Sequence, residues 1–474
     1  MGIEIRPDYN KTFLLPPCLD DWIGKDDPAR FIRDFVDLLD IEELGFRIPE
    51  AFEGRPPYAA DLLLKVWLYG YMEKIRATRK LEKACRQHFS LVWLTGMNYP
   101  DHNTLWRFWV ANKKALRTVF KQSVLVAHKA GLVGMALHAV DGTKITAQVS
   151  NQTGWHGKTL EKLLKRLDVS IDEMMREVES AEENERGDYL LPEKLQDAKM
   201  RRDEIKEALR ELDKVDRKHL HPRDPDARMM KCKKRTHFAY NAQAVVDDKS
   251  GLIMAEDVVN AENDTGQLTP MLGEVERNLG GTAEETVADG GYYSPEQLAE
   301  AEEHERNVLV SIPENTKNRW HKGGFHSSNF VYDERQDVFI CPLGRQLTYD
   351  GSRTRKRKHR KYRFRIYRCR CFRECPMRWQ CSLQKRGRTI EQLEYYKAVE
   401  NQRTKQFNED KMKLLKKRKA IVEIAFAHIK EHQAFRRWTV RGLGNVKTQW
   451  SLVCTAFNLR KLYRYWTEGV LAMT

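Results

Sequence analysis

The sequence lacks any long uninterrupted apolar run, and its first residues lack the apolar core of a signal peptide. No run approaches the ~18 to 20 apolar residues that span a bilayer, so no membrane partner is expected. We therefore expect a cytoplasmic protein whose thiols stay reduced. The chain has 474 residues and 41% hydrophobic content, which is enough for two or three domains with real cores.

Acidic residues are almost absent from one stretch of a chain in which Lys and Arg outnumber Asp and Glu by 83 to 68. Between Arg353 and Arg388, 16 basic residues accompany the single acid Glu374. Such a block fits contact with phosphates, because neutralising them releases counterions and supplies affinity that does not depend on base sequence. A merely solubilising basic loop is the alternative. The candidate DNA-binding residues in this block are Arg355, Lys356, Arg357 and Lys358.

The cysteines lack a clean pair of CxxC motifs, yet five of the nine fall between residues 341 and 381. In a reducing compartment such a group favours a thiolate metal site over disulfides. A ribbon closed by Zn²⁺ is the resulting hypothesis, and free thiols in a basic loop are the alternative. The candidate zinc ligands are Cys341, Cys371, Cys375 and Cys381.

Residues 1–120 have the pattern of a helical domain. Apolar side chains recur at helical spacing in LLLKVWLYGYMEKI (62–75) and RKLEKACRQHF (79–89), and Asp101 can cap a third segment. Three short helices with tight connections predict a helix-turn-helix-like DNA-binding domain, in which Arg107, with Lys113 and Lys114, suits phosphate contacts. A compact helical domain without DNA is the alternative.

From residue 131 to 312 the pattern changes to strands. The run LVGMALHAVDGTKITAQ predicts a strand that ends at a turn-prone Asp-Gly, and further strands are predicted at 237–248 and 251–260. A helix, a strand, a helix and a last strand follow. This order predicts an α/β sheet with helices on its faces, as in ribonuclease H. Residues 131–154 and 233–314 would form the first part of that core, and helices in 396–474 would complete it.

Two inserts interrupt this core. Residues 155–232 are rich in Glu, Lys, Arg and Leu and predict an antiparallel helical hairpin with its turn at GDYLLP (187–192). The hairpin would be a solvated arm packed on its own chain, a dimer contact or a DNA arm. Residues 315–395 form the second insert, which holds the basic block and the cysteine group. The two helical stripes of the hairpin are Leu160, Leu163, Leu164, Leu167 and Ile171, and Ile205, Leu209 and Leu212.

Three acidic residues stand in distinctive settings. Asp141 in AVDGTKI and Asp289 in ADGGYYS each follow a predicted buried strand, and Glu423 lies in the basic helical segment RKAIVEIAFAHIK. Three converging carboxylates suggest a magnesium site, because Mg²⁺ prefers hard oxygen ligands and completes its shell with water and substrate phosphates. Two such ions can activate a nucleophile and stabilise both oxygens of an in-line displacement at phosphorus.

Other polar residues are also candidates for a role at or near the predicted magnesium site. Lys419 and Lys430 share a helix face with Glu423 and would steady a cleaved strand. Asp264 is expected to cap the helix that follows it, and it is the substitute if one of the three acids is wrong. Further candidate DNA contacts near the end of the chain are Arg436, Arg437 and Arg441.

Taken together, these segments resemble a bacterial insertion-sequence transposase of the DDE type, in the IS-five-like grouping, on the branch with a helical insert and a cysteine-bearing insert. The resemblance covers nearly the whole chain. It is carried by PDHNTLWRFW (100–109), VDGTKI, YNAQAVVD, ADGGYYS, RKAIVEIAFAHIK and FRRWTVRGLGNVKTQWSLVCTAFNLRKL. In this family the last helix often follows a Tyr, Arg, Glu, Lys signature. Glu423 and Lys430 keep its last spacing, whereas Lys416 and Lys419 stand at the preceding positions.

The resemblance implies a ribonuclease-H-like catalytic core in which Asp141, Asp289 and Glu423 bind Mg²⁺ or Mn²⁺. It implies DNA strand cleavage and strand transfer on double-stranded DNA, with terminal inverted repeats and target DNA as partners. It also implies a homodimer on DNA, a place at the bacterial nucleoid and no small-molecule substrate. The alternatives are a DNA-binding regulator or inactive derivative without catalysis, and a helical assembly protein with a metal-stapled ribbon.

Overall fold

The computed structural model describes residues 18–47, 56–182, 193–232, 235–312, 325, 329–357, 360–382 and 384–472. The side chains at 177–182, 193, 357 and 360 are not described. The predicted turn at 187–192 and Lys358 therefore lie outside the described residues, and the side chain of Arg357 does too.

Six α-helices precede the first strand in the part of the chain that the structure describes. Asp101 caps the fifth, because its Oδ1 accepts a hydrogen bond from the Thr104 amide at 2.8 Å, which confirms the predicted cap. The third helix packs against the fourth and the fifth. The bounds are α1 (Pro28–Asp37), α2 (Ala60–Met72), α3 (Thr78–Gln87), α4 (Phe89–Leu94), α5 (His102–Ala111) and α6 (Lys113–Lys129).

A six-stranded mixed sheet follows, and it confirms the predicted α/β class. Strand β5 pairs antiparallel with β1, β4 and β6, whereas β7 pairs parallel with both β1 and β8. The helices α9 and α10 lie before and after β7, as predicted. The bounds are β1 (Leu137–Thr146), β4 (Arg228–Cys232), β5 (Arg235–Asp247), β6 (Ile253–Val259), α9 (Leu268–Leu279), β7 (Glu285–Ala288), α10 (Pro295–Glu303) and β8 (Val308–Val310).

Strand β1 does not end at Asp-Gly, so that part of the strand prediction is wrong. Asp141 pairs with Ala244 and Gly142 with Gln243, and the ladder continues to Thr146. Extended pairing outweighs the turn preference of the dipeptide, because β5 supplies pairing partners for β1 from His138 to Thr146. Gly142 instead leaves room for the side chains of Gln243 and Asp264 beside β1.

The first insert contains two long helices on a short two-stranded base. Strands β2 (Trp155–His156) and β3 (His219–Leu220) pair antiparallel where the chain leaves and returns. Between them run α7 (Gly157–Glu182) and α8 (Glu193–Lys214), which pack against each other. Ile171 on α7 and Ile205 and Leu212 on α8 are buried, in agreement with the apolar stripes of the hairpin.

The second insert forms its own antiparallel sheet, in the order β13, β12, β11, β10, β9. A small separate core supports it, built from Phe330, Phe339, Leu347, Tyr367, Cys369 and Ile390. A regular sheet was not part of the sequence prediction for this region. The bounds are β9 (Val331–Asp333), β10 (Val338–Ile340), β11 (Gln346–Arg357), β12 (Arg360–Cys369), the short α11 (Arg378–Cys381) and β13 (Thr389–Leu393).

Three helices close the chain: α12 (Tyr396–Phe407), α13 (Glu409–Ala427) and α14 (Leu443–Thr467). A π-helical turn, His428–His432, extends α13. Helix α14 packs against α2, α6 and β6, so the N-terminal helices and the mixed sheet share one hydrophobic core. Trp450 on α14 fixes the contact, since its indole donates to the Gln243 carbonyl at 3.0 Å.

Among the described helices, none is both long and apolar enough to cross a membrane.

The contact between α14 and β6 predicts a pH-dependent stability. Glu256 on β6 accepts a 2.5 Å hydrogen bond from the Ser451 hydroxyl, and burial raises its pKa from 4.5 to about 8. Because the pKa is higher in the folded state, the associated stability is present below about pH 4.5 and is lost as the pH rises to about 8. We expect Glu256→Gln to raise the melting temperature by about 2 °C or more near pH 8.5, with the gain shrinking towards pH 5. Melting curves across this range test it, and a gain independent of pH would contradict it.

Candidate active site

Asp141 and Asp289 occupy neighbouring positions on two parallel strands. The parallel register pairs Val140 of β1 with Ala288 of β7. Each aspartate is the next residue in its strand direction, so both lie at the same level beside the end of β7. Asp289 also begins a short 3₁₀ turn, in which its Oδ1 accepts from the Gly291 amide at 2.8 Å.

Asp141 sits in a partly buried, strongly charged environment. Arg418 of α13 reaches it, with Nη1 2.7 Å from Asp141 Oδ2. Burial raises the pKa of Asp141, the Arg418 charge lowers it and the Asp289 charge raises it, with a net upward direction. The two carboxyls therefore repel each other, and one guanidinium offsets part of that repulsion.

Gly142, directly after Asp141, and Gly291, two residues after Asp289, stand where a side chain would collide with the site. A Cβ at Gly142 would lie 2.4 Å from Gln243 Nε2 and 2.5 Å from Asp264 Oδ1. A Cβ at Gly291 would lie 2.9 Å from Asp289 Oδ1 and 3.4 Å from Asp264 Oδ2. The carboxyl of Asp264 thus lies beside the residues that follow each aspartate.

The expectation that Asp264 caps α9 is wrong. Gln267 is the N-cap of that helix, three residues further on, and it makes no side-chain capping bond. Helix α9 begins too late for the Asp264 side chain to reach its first amides. The carboxyl instead accepts three hydrogen bonds, from Asn241 Nδ2 at 2.6 Å, Gln243 Nε2 at 2.8 Å and Lys144 Nζ at 3.2 Å.

Tyr292 lies beneath this acidic group and is fully buried. Its hydroxyl donates to Gln243 Oε1, which links it to Asp264 through the same amide. Burial raises the pKa of Tyr292 well above its usual value, and the charges of Asp264, Asp141 and Asp289 raise it further. The charges of three aspartates therefore favour the protonated phenol of Tyr292, which donates its hydrogen bond to Gln243.

Glu423 lies on α13, the helix that carries Arg418 to Asp141. Its side chain is 62% exposed and stands 3.8 Å from Lys419. Val422 and Ala425 face the core instead. Further along, Lys430 in the π-helical turn donates to the Thr143 hydroxyl on β1. The helix therefore crosses close to β1, while Glu423 itself projects towards solvent.

Among the described residues, no group of three or more His, Cys, Asp or Glu side chains is arranged to hold a metal ion. Asp141 and Asp289 are close enough for their charges to interact, and they offer the hard oxygen donors that Mg²⁺ prefers. A bound cation would reduce the repulsion between these two carboxylates. The pair thus fits a divalent ion, and a third carboxylate ligand remains a prediction.

A cationic cleft adjoins the acidic pair. It is a cavity of about 440 Å³ bordered by Gly142 and Thr143. Its basic side chains are Lys144, Lys231, Lys430 and Arg436, accompanied by the single acid Glu431. Lys144 and Lys231 were missed by the sequence analysis. Lys144 stands three residues after Asp141 in VDGTKI, which is the signal that could have found it, whereas Lys231 belongs to the unpredicted strand β4.

The three predicted DNA-contacting arginines near the end of the chain differ in how their guanidinium groups are held by other residues. Arg437 donates to the carbonyls of Ala147 at 3.1 Å and Val149 at 2.9 Å, so its guanidinium holds the chain that follows β1. Arg441 uses Nε in the same way, at 3.1 Å from the Gln148 carbonyl. Arg436 forms an ion pair with Glu431 at the rim of the cationic cleft. Any DNA contact of theirs remains a prediction.

The N-terminal candidates lie on the exposed side of their helices. Arg107 is exposed on α5, next to Trp106, whose side chain is 43% exposed. Lys114 is exposed at the start of α6, whereas Lys113 lies 5.7 Å from the Trp109 ring centroid. This surface is accessible to a partner, and its DNA contact remains a prediction.

The predicted zinc ligand set of Cys341, Cys371, Cys375 and Cys381 is not formed, since no described group of three has a ligand arrangement. The cysteines do converge on the small core of the second sheet, where Cys341, Cys371 and Cys381 pack as partly buried side chains. Cys369, which was outside the predicted set, lies closest to another thiol, with its Sγ 3.5 Å from that of Cys371. Four of the five clustered cysteines thus lie in or against an apolar core.

Two transposase families match parts of the chain. The family described as "Transposase DDE domain" matches residues 340–463, from β10 into α14. The family described as "Transposase domain (DUF772)" matches residues 17–110, in the N-terminal helices. These matches do not distinguish the IS-five-like grouping.

Among solved structures, one titled "Cryo-EM structure of piggyBac transposase synaptic complex with hairpin DNA" is similar to the chain. The likeness covers 94% of this chain and 76% of that chain, at 10% sequence identity and a TM-score of 0.33. No curated protein matches the chain.

Proposed function

We propose that the protein is a DDE transposase with a ribonuclease-H-like core, which binds the terminal inverted repeats of an insertion sequence and cleaves and joins DNA strands. The observation that carries this proposal is the adjacency of Asp141 and Asp289 on parallel strands. The sheet supports the core assignment, because β5 pairs antiparallel with β1, β4 and β6 while β7 and β8 run parallel to β1. The cationic cleft beside the pair supports a polyanionic substrate.

Asp141 and Asp289 would hold divalent ions, Mg²⁺ or Mn²⁺, and Glu423 would complete the ligand set from α13. Bound there, the ions supply activation of the attacking water or 3′ hydroxyl and stabilisation of the leaving oxygen. Arg418 holds Asp141 in place through its 2.7 Å contact, and its charge opposes the upward effect of burial on the pKa of Asp141. Tyr292 and Gln243 hold the neighbouring Asp264 in a fixed orientation.

The cleft residues have a separate task, which is to hold the DNA backbone. Lys144 and Lys430 both line this cleft, and Lys430 also donates to the Thr143 hydroxyl on β1. Phosphates bound between them would run past the acidic pair, with Arg436 at the rim. Lys419 and the exposed Arg107 are proposed as more distant contacts, and a homodimer on DNA would bring two ends together.

The function is tested by incubating the purified chain with Mg²⁺ and linear DNA that carries the terminal repeats of its insertion sequence. Mapped 3′ hydroxyl ends at the repeat boundary, absent when EDTA replaces Mg²⁺, are the expected result. A DNA-binding regulator is the second candidate, because Arg418 already neutralises Asp141 and Glu423 is exposed. Salt-sensitive DNA binding without any cleavage would favour the regulator.

Glu423 gives a sharper form of this test. Its side chain is 62% exposed and its ion-pair distance to Lys419 is 3.8 Å, and exposed pairs of this kind contribute only about 0 to 1 kcal/mol. We therefore expect Glu423→Gln to leave the melting temperature within about 1 °C. As a proposed metal ligand, it should lose cleavage by about 100-fold or more.

The matched control for this variant is Glu409→Gln, which removes one exposed carboxylate from the same helix. It should cleave DNA at the wild-type rate. If Glu423→Gln cleaves as fast as the control, Glu423 is not the third ligand, and the remaining carboxylate of the group, Asp264, becomes the residue to substitute.

A further inference from the structure

A projecting β-ribbon in the second insert has two faces of different character. Strand β13 pairs with β12 only from Phe364 onwards, whereas β11 and β12 stay paired as far as Arg357 and Arg360. The paired ends of β11 and β12 therefore extend beyond the five-stranded sheet as a two-stranded ribbon. Successive side chains on each strand alternate between its faces.

One face of the ribbon is internally satisfied. Arg353 and Arg355 both form ion pairs with Glu391 of β13, the latter at 2.9 Å. The guanidinium of Arg355 also lies 5.3 Å from the Phe364 ring centroid. Tyr362 and Phe364, which pair with Arg355 and Arg353, line a cavity of about 410 Å³ against α12. This face has its counter-charge and its packing within the chain.

The other face carries cations without counter-charges. Lys356, Lys361 and Arg363 are exposed, and no carboxylate of the described residues forms an ion pair with them. By contrast, the remaining described cations of these strands are all paired. Those pairs are Arg353 and Arg355 with Glu391, Arg365 with Asp337, and Arg368 with Asp350.

The register places these cations against one another. Lys356 lies directly opposite Lys361 across the ladder, and Arg363 lies opposite Thr354 on the same face. Like charges directly opposite on neighbouring strands destabilise the pair. Two positions along one strand span about 6.6 Å, so the three charges occupy a patch only two strands wide. A polyanion docked on this face would remove the repulsion.

We propose that this face of the ribbon, defined by Lys356, Lys361 and Arg363, docks on duplex DNA. A two-stranded ribbon fits the major groove, which is about 12 Å wide, and its cations reach the phosphates on the rims. The inference rests on the proposed function for its partner, and it extends that function by assigning the contact to one face. It also removes Arg355 from the predicted DNA-binding residues, since that side chain serves the opposite face.

The test compares two variants that remove the same charge from opposite faces. Lys361→Gln with Arg363→Gln alters the proposed DNA face, and Arg353→Gln with Arg355→Gln alters the packed face. Binding of the full chain to a fluorescein-labelled duplex of about 40 base pairs is measured by anisotropy at several KCl concentrations. Melting curves establish that each variant is folded.

The first variant should bind about tenfold more weakly, with a slope of log Kd against log salt concentration reduced by about 2. The second should bind within about twofold of the wild type. Equal effects of the two variants, or wild-type binding by the first, would overturn the proposal. The cleavage assay tests the proposed function independently of the ribbon. If the wild-type chain cleaves DNA but the ribbon variants bind equally well, only the ribbon proposal fails. If the ribbon variants bind as expected but the wild-type chain does not cleave, the proposed function fails.

Discussion

Asparagine at Asp141 or Asp289 abolishes Mg²⁺-dependent cleavage of transposon-end DNA, with a loss of about 10³-fold or more. The change keeps the size of the side chain and removes one charge from a pair whose members already repel each other. Folding therefore survives, and the melting temperature stays the same or rises. Cleavage is measured on denaturing gels and DNA affinity by anisotropy, and affinity stays within about threefold because the phosphate contacts are intact.

The control for this prediction is Asp257→Asn on β6, which removes an aspartate that is paired with Lys447 at 2.7 Å. Asp257 lies in the same sheet, and its replacement removes the same charge. Because Asp257 has no assigned part in the chemistry, cleavage should continue. An Asp141 or Asp289 variant that still nicked transposon ends at the wild-type rate would remove the basis for the proposed enzyme.

Alanine at Gly142 is expected to damage both folding and catalysis. The new Cβ would lie 2.4 Å from Gln243 Nε2 and 2.5 Å from Asp264 Oδ1. Neither group can move cheaply, because Gln243 also bonds Tyr292 and Asp264 also bonds Asn241. We expect a loss of about 1 to 3 kcal/mol in the free energy of unfolding. Displacement of the adjacent Asp141 should lower the cleavage rate by about 100-fold.

The matched control is Gly281→Ala, where nothing lies within 4 Å of an added Cβ. Urea titrations should give this variant wild-type stability, and cleavage assays should give it wild-type activity. If Gly142→Ala behaves like Gly281→Ala, the close approach of Gln243 and Asp264 to β1 is not as tight as the structure has it.

Regular elements with strong periodicity were predictable from the sequence. Strands β5 and β6 and helix α9 lie where the apolar patterns predict them, and the Asp101 cap is present. Local sequence sufficed because β5 and β6 are buried along most of their length and α9 buries residues at helical spacing. The Asp-Gly pair at 141 led to a wrong prediction for the end of β1. A turn preference is a local property, whereas the pairing of β1 with β5 depends on residues about a hundred positions away.

The site was less predictable than the sheet. That Asp141 and Asp289 are adjacent follows from the parallel register of β1 and β7, which the strand order already indicated. The position of Asp264 did not follow, because its partners Asn241 and Gln243 belong to a different strand and no periodicity links them. The charge pattern of the second insert likewise hid a sheet, since Arg and Lys alternate there with the aromatic side chains that pack.

The location of a bound metal ion tests the central claim most directly. Crystals of the protein with transposon-end DNA and Mn²⁺ should give an anomalous scattering peak about 2.0 to 2.3 Å from carboxylate oxygens of Asp141 and Asp289, with Glu423 turned towards the same ion. A peak at another place on the chain, or Asp141 still held only by Arg418 at saturating Mn²⁺, would contradict the account.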